Sequence, residues 1–554
     1  MRFNITDRRI NYKSHKSARP LSEDLIAGFN HRHNVILSNY DIRLEKGQIL
    51  PLCERLNNQS NLGALRNRQL RESVILAAGL SAIAVGLHGR GSLNNIPKEK
   101  VNPALTNELK RANDRTAAQI MAEVLQDTTE TFPVGEEVVI ESAITEGVRA
   151  KPGKEPGGNP TIAVGALFGK KEHRARYGLP MAKNVTLLSM GSDVIDGTTK
   201  SVKGLHSSLT ALFLTESGVK RHLPDIYVQR WMAGVNFEEF NPREASLVDA
   251  AEIMIDAYGL SSAGRLSAFF LDRKRHHPAM DVLNAAGITT PFDNDGDLFP
   301  SLVLGLENLH FPDGRRLLSM IGEIGGSAEW AVGVLPLVWR GGQAIGMLTS
   351  QSSLTRDDLS PEELWKGRFH FTEEEFILVQ DARFEQKPYF TIGDILEQPF
   401  AGGVAAFGSL TDNYYLPFMD GVRVDKEAGQ MIVNVLVINS MGVMESWQLT
   451  FAADNDLDKT RHLMMCPKDM CLDLAGNQLE KKIGELLSDE KMARRYRIFF
   501  NNEYYPAMIP IRDRLVMLNK VIDTLIERGA LNEKDKEIID FTRKLAPEWF
   551  VGYD

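Results

Sequence analysis

Cysteine is nearly absent: a chain of 554 residues holds only Cys53, Cys466 and Cys471. That scarcity argues against a disulfide framework. The Cys466-Pro-Lys-Asp-Met-Cys471 pair has no second pair to complete a structural zinc site. Buried thiols in a reducing compartment are expected. A long hydrophobic run is missing too. The longest, Val74 to Leu87, is too short to span a bilayer and reads as a core helix, so no membrane partner is expected. The N-terminal stretch carries Arg2, Arg8, Arg9, Lys13, Lys16 and Arg19 but no signal-peptide apolar block, which predicts a cytoplasmic protein and leaves organellar import open. There is no basic excess either. A formal charge of −9 argues against nucleic-acid partners, which select for a basic face. An anionic substrate stays open, because a bound cation can reverse the local sign. No repeat of solenoid or propeller period is found.

What is present suits a folded protein of several subdomains: 43% hydrophobic and 25% charged residues over this length. Residues 1 to about 66 are polar and irregular and read as an extension wrapping the fold. Helices are predicted from about Leu70 to Leu87 and from Asn107 to Val124, separated by a loop at Pro97 to Pro103. Val138 to Ile140 reads as a strand, and Lys151 to Pro160, dense in Pro, Gly and Lys, as an exposed loop. From Thr186 onward strands and helices alternate, which predicts an α/β fold. Strands are expected at Leu209 to Leu214, Asp225 to Met232 and Ser267 to Leu271. Helices are expected at Ser246 to Tyr258, His277 to Ala286 and Leu298 to Leu306. Ile321 to Glu329 reads as a strand turning sharply into a helix, and Gly429 to Phe451 as a hairpin around Gly442. Beyond Asp454, Leu515, Leu518, Ile522, Leu525 and Ile526 share one helical face stopped by Gly529, so residues 454–554 read as a helical appendage.

Asp193-Val194-Ile195-Asp196-Gly197-Thr198 carries the most chemistry. It follows the apolar run Val185 to Met190, and its two carboxylates are expected to straddle a turn. Hard cations such as magnesium or manganese take several oxygen ligands, which paired aspartates at a strand end supply. Amides after Gly197 could hold a phosphate oxygen. An ordinary acidic turn is the plain alternative. Further acids, Asp114, Glu141, Glu146 and Glu329, are expected where helices or strands begin or end, alongside the Asp295-Gly296-Asp297 turn.

In this order the segments resemble the class II fructose-1,6-bisphosphatases, within the metal-dependent, lithium-sensitive sugar phosphatases. The resemblance spans about residues 70 to 452. Glu141 and Glu146 match the family's strand-end glutamate with a second acid five residues on. Asp193 to Thr198 matches its Asp-Pro-Ile-Glu/Asp-Gly-Thr signature, with Val194 for the proline. Gly325-Gly-Ser-Ala-Glu329 matches its Gly-Gly-Ala-Pro-Glu-Gly segment, and Asp295 to Asp297 its Asp-Gly-Asp turn. Asp225-Ile-Tyr227 with Arg230, Arg273-Lys-Arg275-His276, and Phe400 to Thr411 complete the similarity.

The resemblance implies a layered αβαβα fold with a metal- and phosphate-binding subdomain (67–245) and a sugar-binding subdomain (246–453). It implies hydrolysis of the 1-phosphate of fructose 1,6-bisphosphate, with sedoheptulose 1,7-bisphosphate as a further substrate, Mg2+ or Mn2+ as cofactor, and a homo-oligomer. Asp114 and Glu141 would hold one metal; Asp193, Asp196, Glu329 and the Ile195 carbonyl another. Lys110, Thr198 and Glu329 would serve catalysis. Asp196, Gly197, Thr198 and Gly326 would line the reacting phosphate, Arg273, Lys274 and Arg275 the second one, and Tyr227 with Asp295, Gly296 and Asp297 the sugar. Tryptophans 330 and 339 are expected in the core, and His276 and His277 as polar caps. Glu141-Ser-Ala143 in place of the family's Gly-Glu-Gly-Glu and Trp330 in place of a glycine motivate a rival reading, a phosphatase-like binding or scaffold protein. An inositol or polyol monophosphatase is the narrower enzymatic rival.

Overall fold

The computed structural model describes residues 2–4, 17–53, 65, 67–146, 161–162, 166–170, 173, 185–221, 223, 226–306, 320–350, 371, 376, 379–380, 383–384, 387, 389–413, 415–416, 418–457 and 460. The expected loop at 151–160, Asp225, the second and third cysteines and the C-terminal helix around 515–529 lie outside these residues. Strand pieces β1 (Arg2–Asn4) and β2 (Arg19–Pro20) precede helices α1 (Glu23–Arg32) and α2 (Asn34–Asn39) and the long strand β3 (Ile42–Cys53). Then come helices α3 (Arg68–His88) and α4 (Pro103–Glu130) and strands β4 (Val138–Thr145), β5 (Leu167–Phe168) and β6 (Thr186–Asp196). A short helix α5 (Thr198–Lys203) links β6 to β7 (Leu209–Thr215). The next stretch alternates: β8 (Tyr227–Ala233), α6 (Leu247–Ala257), β9 (Ala268–Leu271), α7 (His277–Ala285), β10 (Thr290–Asp293), α8 (Leu298–Leu304), β11 (Met320–Gly326), α9 (Ser327–Trp339) and β12 (Gln343–Thr349). It closes with α10 (Ile392–Ile395), β13 (Gly403–Ser409), β14 (Arg423–Asp425) and the hairpin β15 (Gln430–Asn439) and β16 (Met444–Ala453).

These strands form two sheets. One runs β1-β10-β9-β11-β8-β12, the other β2-β3-β16-β15-β13-β7-β6-β4-β5, with β14 beside β15. Because side chains alternate across a strand, each sheet feeds two cores. Val228 and Met232 of β8 and Phe269 of β9 join α8 and α9 in a core that also takes Ala211 and Phe213 of β7. The opposite faces, Trp231 and Phe270 on one sheet and Leu212 and Leu214 on the other, pack outward against α6 with α7 and against α3 with α4. Three helical layers therefore alternate with two sheets, the αβαβα stack that the resemblance implies. Helix α3 is apolar enough by composition to cross a membrane, but most of that stretch is buried inside the protein. It is the core helix expected from its sequence.

The N-terminal stretch departs from expectation. Residues up to 66 are not merely an irregular wrap: β3 pairs antiparallel with β16 along most of its length, and Phe29, Ile36, Leu37, Tyr40, Ile42 and Leu44 enter the core against α3 and α4. The clue was the short apolar set of α1 and α2, broken by polar residues because their outer faces stay exposed. Helix α4 is also longer than the periodicity suggested. Asn102 caps it, its side chain accepting from the Leu105 amide at 2.9 Å, and Pro103 sits in the first turn where its missing N–H costs nothing.

Glu72 of α3 ties this region down, accepting from Arg32 Nε at 2.6 Å and Arg68 Nε at 2.7 Å, with His33 Nε2 at 3.6 Å. Burial raises the Glu72 pKa, but His33, Arg32 and Arg68 outweigh it and bring it from 4.5 down to about 2. A depressed carboxylate contributes stability that is present above its unfolded pKa and lost as pH falls through the folded value. A shift of this size corresponds to about 3 kcal/mol. Glu72→Gln should therefore lower the urea-unfolding free energy by roughly that amount near neutrality, with the gap to wild type closing as the pH is taken from about 4.5 to about 2.

Candidate active site

Strand β6 runs through Asp196, so its two aspartates do not straddle a turn. They lie in the strand itself, and the register explains how both can work on one side. Residues three apart on a regular strand face opposite ways. Here Asp193 opposes Ala211 and Asp196 opposes Leu209, with a register shift between them. Ala211 and Leu209 share a face, so the extra residue of the bulge turns both carboxylates the same way. Gly197 follows at φ 74°, a left-handed conformation that a side chain disfavours. It swings the chain into α5 and presents Thr198.

Helix α4 comes up against this turn. Lys110 and Asp114 lie well inside that helix rather than at its opening, and Asp114 is buried. Thr198 Oγ1 is 3.2 Å from Asp114 Oδ1 and 3.1 Å from the Ile195 carbonyl, while Lys110 Nζ donates to Thr199 Oγ1 at 3.0 Å. The strand-end acid is Glu146, not Glu141. Glu141 sits mid-strand in β4 opposite Ser189, four residues short of Asp193 in the paired strand and so roughly 13 Å back along the sheet. The Glu146 amide bonds the Ser192 carbonyl at 3.1 Å, beside Asp193, and Glu146 is the strongest charged neighbour of both Asp114 and Asp193. A shift in β4 between Ser142 and Ile144 moves the following residues along by one relative to β6.

The second sheet supplies the opposite wall. Asp196 Oδ1 accepts from the Asp297 amide at 3.0 Å and Oδ2 from the Leu298 amide at 3.2 Å, so the Asp295-Gly296-Asp297 turn is joined to the end of β6 as well as lying next to the basic segment. Asp297 pairs with the buried Arg230 of β8, whose Nη2 also stands 3.9 Å from Glu329 Oε2. A Cβ on Gly325 would overlap the Arg230 guanidinium, which is why the strand leading to α9 carries glycine there. The Gly326 amide does not point free toward a phosphate; it donates to Glu329 Oε2 at 2.7 Å. Arg273 Nη2 donates to Asp295 Oδ1 at 3.0 Å, and the Thr199 amide to Asp295 Oδ2 at 3.3 Å. The Arg275 guanidinium lies 5.2 Å from the Tyr227 ring centroid, a cation–π distance. Lys274 between them is exposed. The basic run thus borders the acidic loop.

Two residues escaped the sequence reading altogether. Lys200 of α5 donates to Asp293 at 2.7 Å in a buried pair. Their only signal was a lysine two residues past the Thr198 motif and an aspartate two before the Asp295 turn. Arg230 belongs to the resemblance, which implies no role for it. The expected cap role of His276 is replaced by burial, its Nδ1 on the Leu271 carbonyl at 2.8 Å, and His277 pairs with Asp272. Trp330 and Trp339 are fully buried, as expected; Trp330 meets Phe390 edge-on at 4.9 Å and is a core residue.

Electrostatically the site is poised against itself. Burial first, then Glu146, Asp196, Glu329 and Asp297, raise the Asp193 pKa well above the ordinary carboxylate value. Asp114 is raised by burial and Glu146, partly offset by Lys110 and Thr198, and Asp196 by burial and Asp297 despite its two amide donors. Asp114 Oδ2 and Asp193 Oδ1 are buried without a hydrogen-bond partner. Among the described residues no three His, Cys, Asp or Glu side chains are already drawn together around an ion-sized space. The donor chemistry nonetheless fits a hard divalent cation: unpaired carboxylate oxygens whose repulsion a cation would relieve.

A carboxylate whose folded pKa is raised gives stability that is complete below its unfolded pKa and lost as pH rises through the folded one. Chelator-treated protein should therefore melt at progressively lower temperature from about pH 5 to about pH 8, and added Mn2+ should raise the melting temperature more at the upper end. Asp193→Asn should stabilise the chelated protein at about pH 8 while shrinking the Mn2+ effect. A chelated wild type whose melting temperature is flat over this range would contradict the reading.

The chain is similar to known proteins over part of its length. Residues 161–399 match the family model described as bacterial fructose-1,6-bisphosphatase, glpX-encoded. The chain is 23% identical over 244 residues to a D-fructose 1,6-bisphosphatase class 2/sedoheptulose 1,7-bisphosphatase of Synechococcus sp. (strain JA-3-3Ab), and 24% identical over 243 residues to a protein of the same name from Synechococcus sp. (strain JA-2-3B'a(2-13)). Each alignment takes in 43% of this chain and spans only 63% of the relative's length. The resemblance to class II fructose-1,6-bisphosphatases is thereby borne out. The matched segment holds Asp193 to Thr198, the Asp295 turn and Glu329; Lys110, Asp114 and Glu146 lie before it and reach the site through the fold.

Proposed function

We propose that this chain is a metal-dependent phosphoric monoester hydrolase that removes the 1-phosphate of fructose 1,6-bisphosphate and also accepts sedoheptulose 1,7-bisphosphate. One observation carries the reading: acids far apart in sequence are charged neighbours, Glu146 of both Asp114 and Asp193, and Glu329 of Asp193, with Thr198 bonded to Asp114 and a basic strip just beyond Asp295. In the relatives' names the same two activities are joined.

Asp114, Glu146, Asp193 and Glu329 would hold Mg2+ or Mn2+, which supplies charge neutralisation and an activated water for phosphate ester cleavage. The rest falls to the chain's own groups. Thr198, its hydroxyl fixed between Asp114 and the Ile195 carbonyl, orients the attacking water or gives its proton to the leaving oxygen. Lys110, bonded to Thr199, offsets the phosphate's charge. Asp196 is spent on the Asp297 and Leu298 amides and so acts chiefly by holding the loop. Arg273 and Arg275 bind the second phosphate through their forked donors, and Tyr227 with the Asp295 turn meets the sugar. The setting we propose is the cytoplasm, with the chain assembled as a homo-oligomer.

Phosphate release from a panel of sugar bisphosphates and polyol monophosphates, with Mn2+ and with chelator, tests this. Bisphosphates should be cleaved and monophosphates left, and chelator should abolish turnover. Glu146→Gln should lower kcat by at least about 10²-fold, whereas Glu141→Gln should leave it within about threefold. Arg275→Ala should raise KM for the bisphosphate about tenfold with little change in kcat. Equal loss in Glu141→Gln and Glu146→Gln would remove the assignment of the strand-end acid. Preference for monophosphates would favour the polyol reading.

A further inference from the structure

Lys200 and Asp293 are among the most deeply buried charges of the protein, with side chains 3% and 1% exposed and 2.7 Å between Nζ and Oδ2. The ammonium also stands 5.4 Å from the Phe299 ring centroid, and Asp293 Oδ1 accepts from the Asn294 amide at 2.6 Å. A buried pair of this kind adds little net stability over an apolar pair of similar shape, so stability alone does not account for it. Its place in the fold does. Lys200 sits on α5, which hangs from the end of β6 in one sheet; Asp293 ends β10 in the other. Their bond crosses between the sheets beside two more crossings, the Thr199 amide to Asp295 and the Asp297 and Leu298 amides to Asp196. Asp295 in turn holds Arg273.

We infer that Lys200 is a positioning residue: through Asp293 it clamps the 293–297 loop against the Thr198–Thr199 turn and so sets the distance from the carboxylate cluster to the Arg273 and Arg275 strip. On the proposed function, that distance is the spacing between the two phosphates of an accepted substrate, so Lys200 helps choose the length of the sugar bisphosphate without touching it. A fixed internal ammonium does this where a soluble cation could not, since it cannot leave the loop.

Lys200→Met alone strands Asp293 as a buried, uncompensated charge and is expected to lose stability. The decisive variant is Lys200→Met/Asp293→Leu, in which both charges go. Its melting temperature should return to near that of wild type, while hydrogen exchange at the Thr199, Asp297 and Leu298 amides, followed by mass spectrometry on peptides spanning them, quickens at least about tenfold and β7 amides stay unchanged. KM for fructose 1,6-bisphosphate should rise about tenfold, with kcat within about twofold, and the preference between six- and seven-carbon bisphosphates should narrow. Unchanged exchange at a restored melting temperature would overturn the inference. So would a double variant that does not regain stability, since the pair would then serve the fold as a whole. The exchange readout needs no substrate: a wild-type chain that releases no phosphate would end the bisphosphatase reading and leave the positioning result to be judged by exchange.

Discussion

Carboxylates buried within reach of one another raise each other's pKa and weaken the fold that holds them. Asp193 alone has Glu146, Asp196, Glu329 and Asp297 as charged neighbours. Cations oppose this set from fixed positions: Lys110 and Arg111 near Asp114, and Arg230 on Asp297 and Glu329, with Lys200 on Asp293 close by. They do not complete the neutralisation, because Asp114 Oδ2 and Asp193 Oδ1 remain without donors. The residual imbalance is a standing electrostatic cost at the seam between two sheets, of the kind that persists where binding repays it.

The two-sheet architecture explains why so many chain segments are needed to build one cluster. The seam is reached from one sheet by β6 with its bulge and by α4 lying on its outer face, and from the other by β8, β10 and β11. Asp193 and Asp196 sit at the bulge, Asp293 at the end of β10 and Glu329 in the first turn after β11, while Arg230 comes from the middle of β8. Strand ends are where backbone pairing stops and side chains can be redirected without breaking a ladder. The core between the sheets, from Phe269 and Phe299 to Trp330 and Trp339, holds both at a fixed separation.

Much of this could be read from the chain. Alternation of strands and helices from Thr186 onward, the turn into α9 and the hairpin around Gly442 were plain because each has a period and a punctuating glycine. The acidic motifs were legible as chemistry through their order along the chain, since any one of them alone reads equally well as an ordinary acidic turn. What remained hidden depends on register. No pattern in Thr186 to Asp196 announces an extra residue in the ladder, so a turn between the aspartates looked natural. Lys200, Asp293 and Arg230 were hidden for a different reason: a buried charge has the same letter as an exposed one, and only the partner across the seam distinguishes them. The N-terminal region was missed because its apolar residues come in short sets, fitting an edge strand and two brief helices with solvent on one side.

The choice between Glu141 and Glu146 shows how far register alone can carry an argument about function. Both belong to the same segment, and Glu141 directly follows the apolar run Val138 to Ile140. In the sheet, however, β4 and β6 run parallel, so progress along one measures progress along the other. A ligand sharing a cation with Asp193 must leave β4 level with Asp193, and the residue at that level is Glu146, whose amide bonds Ser192. Glu141 is level with Ser189, among residues that fill the sheet. The shift in β4 between Ser142 and Ile144 decides which residue arrives at the seam, and that residue is an acid. Of the two acids in the motif, it is the one at the level reached after the shift that neighbours both Asp114 and Asp193, as the proposed cation site would require.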